Sequence, residues 1–168
     1  MRAAVFAMLF LFAASARAFS PDIFVGSLDE TFYSQKGPAL RISYSSFDIL
    51  AYSKIMGAKV PSSLRLNNLR IFVEASNITD AELSYAKMKA PFNISAKNFS
   101  LCINGRKRRL TIASDGASLT PINTVVLRGN VRVFSATGEV NFGQKASLSL
   151  EARTLFLDVG DSKIAFKF

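Results

Sequence analysis

The sequence contains no histidine, no tryptophan and a single cysteine, Cys102. Without histidine it lacks the commonest general base and the commonest zinc ligand. One cysteine permits neither an intrachain disulfide nor a His/Cys metal cluster. Chemistry would have to run on carboxylates, Lys, Tyr or Ser. None of the 12 acids has a partner at a recognisable catalytic spacing. No enzyme activity, metal or cofactor is expected. Cys102, between Leu101 and Ile103, reads as a small buried hydrophobe.

Long hydrophobic runs are also missing, apart from Ala3–Ala16 near the start. As a helix that run would span roughly 21 Å at about 1.5 Å per residue, against a hydrocarbon core of about 30 Å. Arg2 supplies a positive start, and Ala16-Arg17-Ala18 has the small-x-small form of a cleavage site. Residues 1–18 therefore read as a signal peptide, with a retained anchor as the rival. Residues 19–168 read as one domain, long enough to bury a core. An exported chain without disulfides must draw its stability from that burial alone.

Acidic residues are in the minority: 21 Lys and Arg face 12 Asp and Glu, a formal charge of +9. Anionic partners follow, such as phosphate-bearing lipids or polyanionic sugars. The run Arg106-Lys107-Arg108-Arg109 has no interleaved aromatic residue, and the leader directs the chain out of the cytoplasm. Nucleic acid is not expected. The run reads as a solvated hairpin tip or as a contact for headgroup phosphates.

What the sequence has in abundance is period-two alternation. Leu127, Val131 and Val133 point one way, Arg128 and Arg132 the other, and Gly129-Asn130 leaves room for a bulge. Thr137-Gly138-Glu139 signals a turn, and a second strand runs through Val140 and Phe142. A third carries Ala146, Leu148, Leu150 and Ala152 on one face, and a fourth Leu155, Leu157 and Val159. Upstream, Leu40–Tyr44, Phe47–Tyr52 and Leu64–Val73 alternate, with Met56–Ser63 read as a loop and Asn67-Asn68 as an interruption. Phe92, Ile94 and Ala96 share one face, and Phe99, Leu101 and Ile103 share another. Asn104-Gly105 and Asp115-Gly116 both read as hairpin turns. Residues 79–90 stay open between a short helix, for which Thr79-Asp80-Ala81-Glu82 has the form of a capping box, and a strand, which the surroundings favour. After Gly160-Asp161, Ile164, Phe166 and Phe168 form a last strand with a free edge. The expected class is all-β: an open, twisted β-jellyroll or elongated antiparallel β-sandwich.

The run Val126-Leu127-Arg128-Gly129-Asn130-Val131-Arg132-Val133, with Gly138-Glu139, Ala146–Leu150 and Leu155-Phe156-Leu157-Asp158, resembles the OstA-like β-jellyroll family of lipopolysaccharide transport. Ile112–Leu119 looks like the strand that precedes it, and the likeness extends over roughly Ile94–Val159. The resemblance implies a periplasmic jellyroll that holds acyl chains on its inner face and joins other jellyroll transport proteins, or copies of itself, head to tail through edge strands. On this reading Phe99, Leu101, Leu127, Val131, Val133, Leu148, Leu150 and Leu157 contact acyl chains of lipopolysaccharide or another anionic lipid. Arg106, Lys107, Arg108, Arg109, Arg128 and Arg132 meet headgroup phosphates. Ile164, Phe166 and Phe168 form the partner edge. The alternative is a closed sandwich with a filled core, acting in adhesion or envelope assembly without lipid.

Overall fold

The computed structural model describes residues 26–79, 93–106, 108–119, 124–151 and 153–167. The predicted signal peptide, the ambiguous segment at 80–90, Lys107 and Phe168 lie outside the described residues. What is described is an all-β, elongated and twisted sandwich of jellyroll-like form. Its strands are β1 (Leu28–Ser34), β2 (Gly37–Tyr44), β3 (Ser46–Ile55), β4 (Ala58–Asn67), β5 (Arg70–Glu74) and β6 (Asn93–Asn104). There follow β7 (Arg109–Leu119), β8 (Val125–Ser135), β9 (Gly138–Glu151), β10 (Thr154–Val159) and β11 (Ser162–Lys167). A 3₁₀ turn at Ala75–Asn77 follows β5.

The strands form one hydrogen-bonded sheet in the order β1-β2-β5-β6-β7-β8-β9-β10-β11, with the β3–β4 hairpin branching off against β6. β4 lies beside the first half of β6 and β5 beside its second half, both in parallel. The remaining pairings are antiparallel. The two parallel pairings depart from the antiparallel expectation, and they rest on the long crossover between β5 and β6 that parallel neighbours require.

Cross-strand register sorts the residues by polarity. Ile49, Leu64, Ile94, Leu119, Val125, Leu148, Leu157 and Ile164 make one aliphatic row over eight strands. The adjacent row, one residue along and so on the opposite face, runs through Asp48, Arg65, Ser95, Ser118, Ser147, Asp158 and Lys163, with Val126 among them. One face sheds water and the other holds it, so the long sheet must close its apolar face on itself.

It does so along a crease. Asn68, Asn98, Gly129, Asn130 and Gly143 all have positive φ, and β7 slips register between Ala113 and Gly116. These positions are neighbours across β4–β5, β6, β7, β8 and β9. Bulges bend strands and let them pass from one layer to the next. β2 and β10 are not hydrogen-bonded neighbours, yet Leu40 and Ile42 belong to the same buried cluster as Leu155 and Leu157. Arg153, just before β10, donates to the backbone carbonyls of Ala75 and Ile78 at 3.3 and 2.7 Å. The layers are thus tied at the end of β5.

Four sequence expectations are corrected here. Ile94 and Ala96 do not face away from Phe99, Leu101 and Ile103: the left-handed Asn98 adds one residue, and both sets face the same core. Asp115-Gly116 is not a hairpin turn but the bulge inside β7, where the Asp115 carboxylate accepts from the Asn130 amide at 2.7 Å. The second and third strands of the 138–152 region are one strand, β9, bent at Gly143 rather than broken. Met56–Ser63 is not a loop: only Met56-Gly57 turns, and Pro61 is accommodated where the β3–β4 register is irregular.

Candidate apolar groove, anion contacts and free edges

The proposed acyl contacts come together on the inner face, and that face is closed at its centre. Leu127, Val131 and Leu157 have 0% exposure, Val133 and Leu148 3%, and Phe99 5%. Leu101 is half-buried against the same cluster. Leu150 lies on β9 opposite Leu155. Alternation placed these side chains on one face; which of them water can reach depends on the opposing layer.

Partly accessible apolar surface lies on the inner strands, at Ile71, Val73, Leu101, Leu119, Val125 and Phe142, and also at the margins. Leu28 and Phe32 on β1, Tyr44 and Phe47 near the β2–β3 corner, and Val159, Ile164 and Phe166 on β10 and β11 are partly buried and packed against the core. Tyr44 and Phe47 meet edge to face at 6.5 Å between ring centres. Burial, and then the nearby Glu30 carboxylate, push the Tyr44 phenol above its ordinary pKa. Of these margin residues, only Ile164 and Phe166 are site candidates from the sequence, while Val159, Tyr44 and Phe47 are read there simply as strand residues. Leu28 and Phe32 were missed because β1 begins in a stretch of mixed composition.

The basic candidates do not converge. Arg106 and Arg108 are exposed in the β6–β7 loop, where the Gly105 N–H donates to the Arg108 carbonyl at 2.9 Å. Arg109 opens β7, and its Nε donates to the Cys102 sulfur at 3.3 Å. Arg128 and Arg132 are exposed on the outer face of β8. The Arg132 guanidinium lies 3.7 Å from the Glu139 carboxylate and 5.6 Å from the Phe134 ring centre.

Cys102 corrects another expectation. It shares the outer face with Ser100 and Asn104 and is half-buried rather than part of the core. It lines an open concavity of about 680 Å³ on the outer face of β1, β2, β5 and β6, with Phe72, Arg70 and the Asp29–Arg41 pair. Arg41 grips Asp29 through two bonds of 2.8 and 2.6 Å. That grip holds the Asp29 carboxyl below the usual carboxylate range and raises Arg41. No spacing in the sequence announces the pair, because only the β1–β2 register brings it together.

β11 pairs with β10 alone, β1 with β2 alone and β3 with β4 alone, so each leaves one edge unpaired among the described residues. Ile164 and Phe166 face inward there, while Lys163 and Lys167 are exposed. The Lys163 ammonium sits 4.1 Å from the centre of the Phe156 ring. Among the described residues, no three His, Cys, Asp or Glu side chains group as metal ligands, and no helix is long and apolar enough to cross a membrane. Compared with known proteins, the chain matches no family model, no curated protein and no solved structure.

Proposed function

We propose that this domain is a non-enzymatic periplasmic module of the lipopolysaccharide-transport type, which takes up acyl chains at its open margins and joins partner jellyrolls through edge strands. One observation carries the reading. Half-buried apolar side chains at free edges, Phe32 on β1 and Ile164 and Phe166 on β11, are continuous with the core. Such a margin lets a fatty chain enter between the layers without first opening the packed centre. Single apolar residues at a surface are ordinary; an apolar margin beside an unpaired strand offers both a lipid contact and a docking edge. The positive charge suits an anionic lipid. The resemblance around Val126–Val133 supplies the lipid class and the periplasmic location.

The test is photo-crosslinking. A photoreactive residue at Phe32 or Phe166 should capture lipopolysaccharide, and one at the outward Ser147 should not. Capture from Ser147 alone, or from none, overturns the groove. The second reading, a closed assembly module, draws on the complete burial of Ile112, Leu127, Val131 and Leu157. It expects no capture at either margin.

A further inference from the structure

The outer face carries a row of cations in which Arg128, a headgroup candidate from the sequence, is joined by two lysines not named there. Lys97 on β6 is in register with Gly116 on β7, Gly116 with Arg128 on β8, and Arg128 with Lys145 on β9. Lys97, Arg128 and Lys145 are all exposed. Three other outer-face arginines have acids, Arg41 with Asp29, Arg65 with Asp48 and Arg132 with Glu139, while Arg70 and Arg109 make no ion pair among the described residues. Among the described residues, no carboxylate makes an ion pair with Lys97, Arg128 or Lys145. Asp48 feels Lys97 at longer range but is engaged by Asn67 and Arg65. Asp115, the acid nearest the row in sequence, is engaged by Asn130.

Like charges directly opposite each other across a strand pair oppose folding. Arg128 and Lys145 stand in that relation. Gly116 puts no side chain between Lys97 and Arg128, which leaves a gap two strand spacings wide, about 10 Å. Three cations flanking a gap, none of them held in an ion pair, form a cradle for phosphate oxygens. The face is an open sheet without enclosing walls, so it suits a planar array of phosphates better than a single ion in solution.

We propose that Lys97, Arg128 and Lys145 bind the phosphate headgroups of an anionic membrane surface, seating the outer crease of the sheet against the bilayer. The site lies on the face opposite the acyl margins and does not depend on them.

Flotation of the full chain with vesicles tests it. The wild type should bind phosphatidylglycerol-containing vesicles at low salt, release from them at high salt, and ignore pure phosphatidylcholine. Replacing all three residues (Lys97→Ser, Arg128→Ser and Lys145→Ser) should lower the partition coefficient on the order of 100-fold, at about fivefold per basic residue at an anionic surface. Gly116→Glu, which places an acid in the gap, should weaken binding as well. Its added Cβ would meet Ala96 and Arg128 carbonyl oxygens at 3.5 and 3.8 Å, ordinary contact distances. The charge-matched control Lys36→Ser, Lys54→Ser and Lys59→Ser, at exposed lysines away from the row, should retain binding, with circular dichroism checking that each variant folds. An equal loss in the control overturns the proposal, because net charge would then be the cause. So does stabilisation by inorganic phosphate without vesicle binding. Headgroup binding is read on phospholipid and acyl capture by crosslinking, so either reading can fail alone.

Discussion

Asn130 donates its side-chain amide to the Asp115 carboxylate at 2.7 Å, joining the bulge of β8 to the bulge of β7. A methyl group added at Gly129 would lie 2.7 Å from the same carboxylate oxygen, and Gly129 has φ +69°. Gly129→Ala is therefore expected to cost about 1–3 kcal/mol, through both clash and left-handed strain. Asp115→Ala removes the carboxylate and leaves the residue 115 Cβ at 3.0 Å, so it relieves part of the clash. In a double-mutant cycle the pair should cost less than the sum of the two single changes, as urea denaturation would show. Simple additivity would mean that the carboxylate does not press on Gly129.

Leu127→Ala should destabilise by about 2–5 kcal/mol, the range for emptying a packed core site. Leu101→Ala, at a half-buried position two strands away, should cost less. Equal costs would argue that the centre of the sandwich is no tighter than its flank. Chemical denaturation of both variants makes the comparison.

Arg153 reaches two carbonyls some 75 residues back in the chain, Ala75 at 3.3 Å and Ile78 at 2.7 Å. Arg153→Ala leaves both acceptors without that donor, and the expected loss is about 1–3 kcal/mol. Hydrogen exchange should rise at the β9–β10 turn and at the 3₁₀ turn together. A rise at only one of them would show that the two are not clamped to each other.

The raised Tyr44 phenol predicts a stability change at alkaline pH. Burial is the larger cause and Glu30 the smaller, and the unfolded reference is 10.0. The stabilisation it contributes is fully present below that value. It is lost as pH rises through the higher folded value, because the unfolded chain gives up the proton first. Tyr44→Phe should flatten the alkaline fall in melting temperature relative to wild type. Parallel curves for the two proteins would show that Tyr44 is not held in its neutral form.

Alternation, being strictly local, marked out most of the strands. Leu40–Tyr44, Leu64–Leu66, Val125–Val133 and Leu155–Val159 each advertise one apolar face, and the Asn104-Gly105 turn was equally legible. Punctuation by glycine and asparagine was harder to read. Asp115-Gly116 has the chemistry of a turn and serves as a bulge, because β6 and β8 continue on either side and hold β7 extended. Gly143 bends β9 without ending it for the same reason.

By itself the sequence determined the class of the protein: an all-β chain without a disulfide, with strongly apolar and strongly polar strand faces and an excess of positive charge. These follow from side-chain chemistry and a period of two, which need no partner to be read. The tertiary structure alone decided where the sheet creases, which apolar residues are sealed and which remain at the rim, and which cations find acids. Those outcomes depend on register between strands distant in sequence, as with Lys97, Arg128 and Lys145, and a one-residue bulge such as Asn98 is enough to change them.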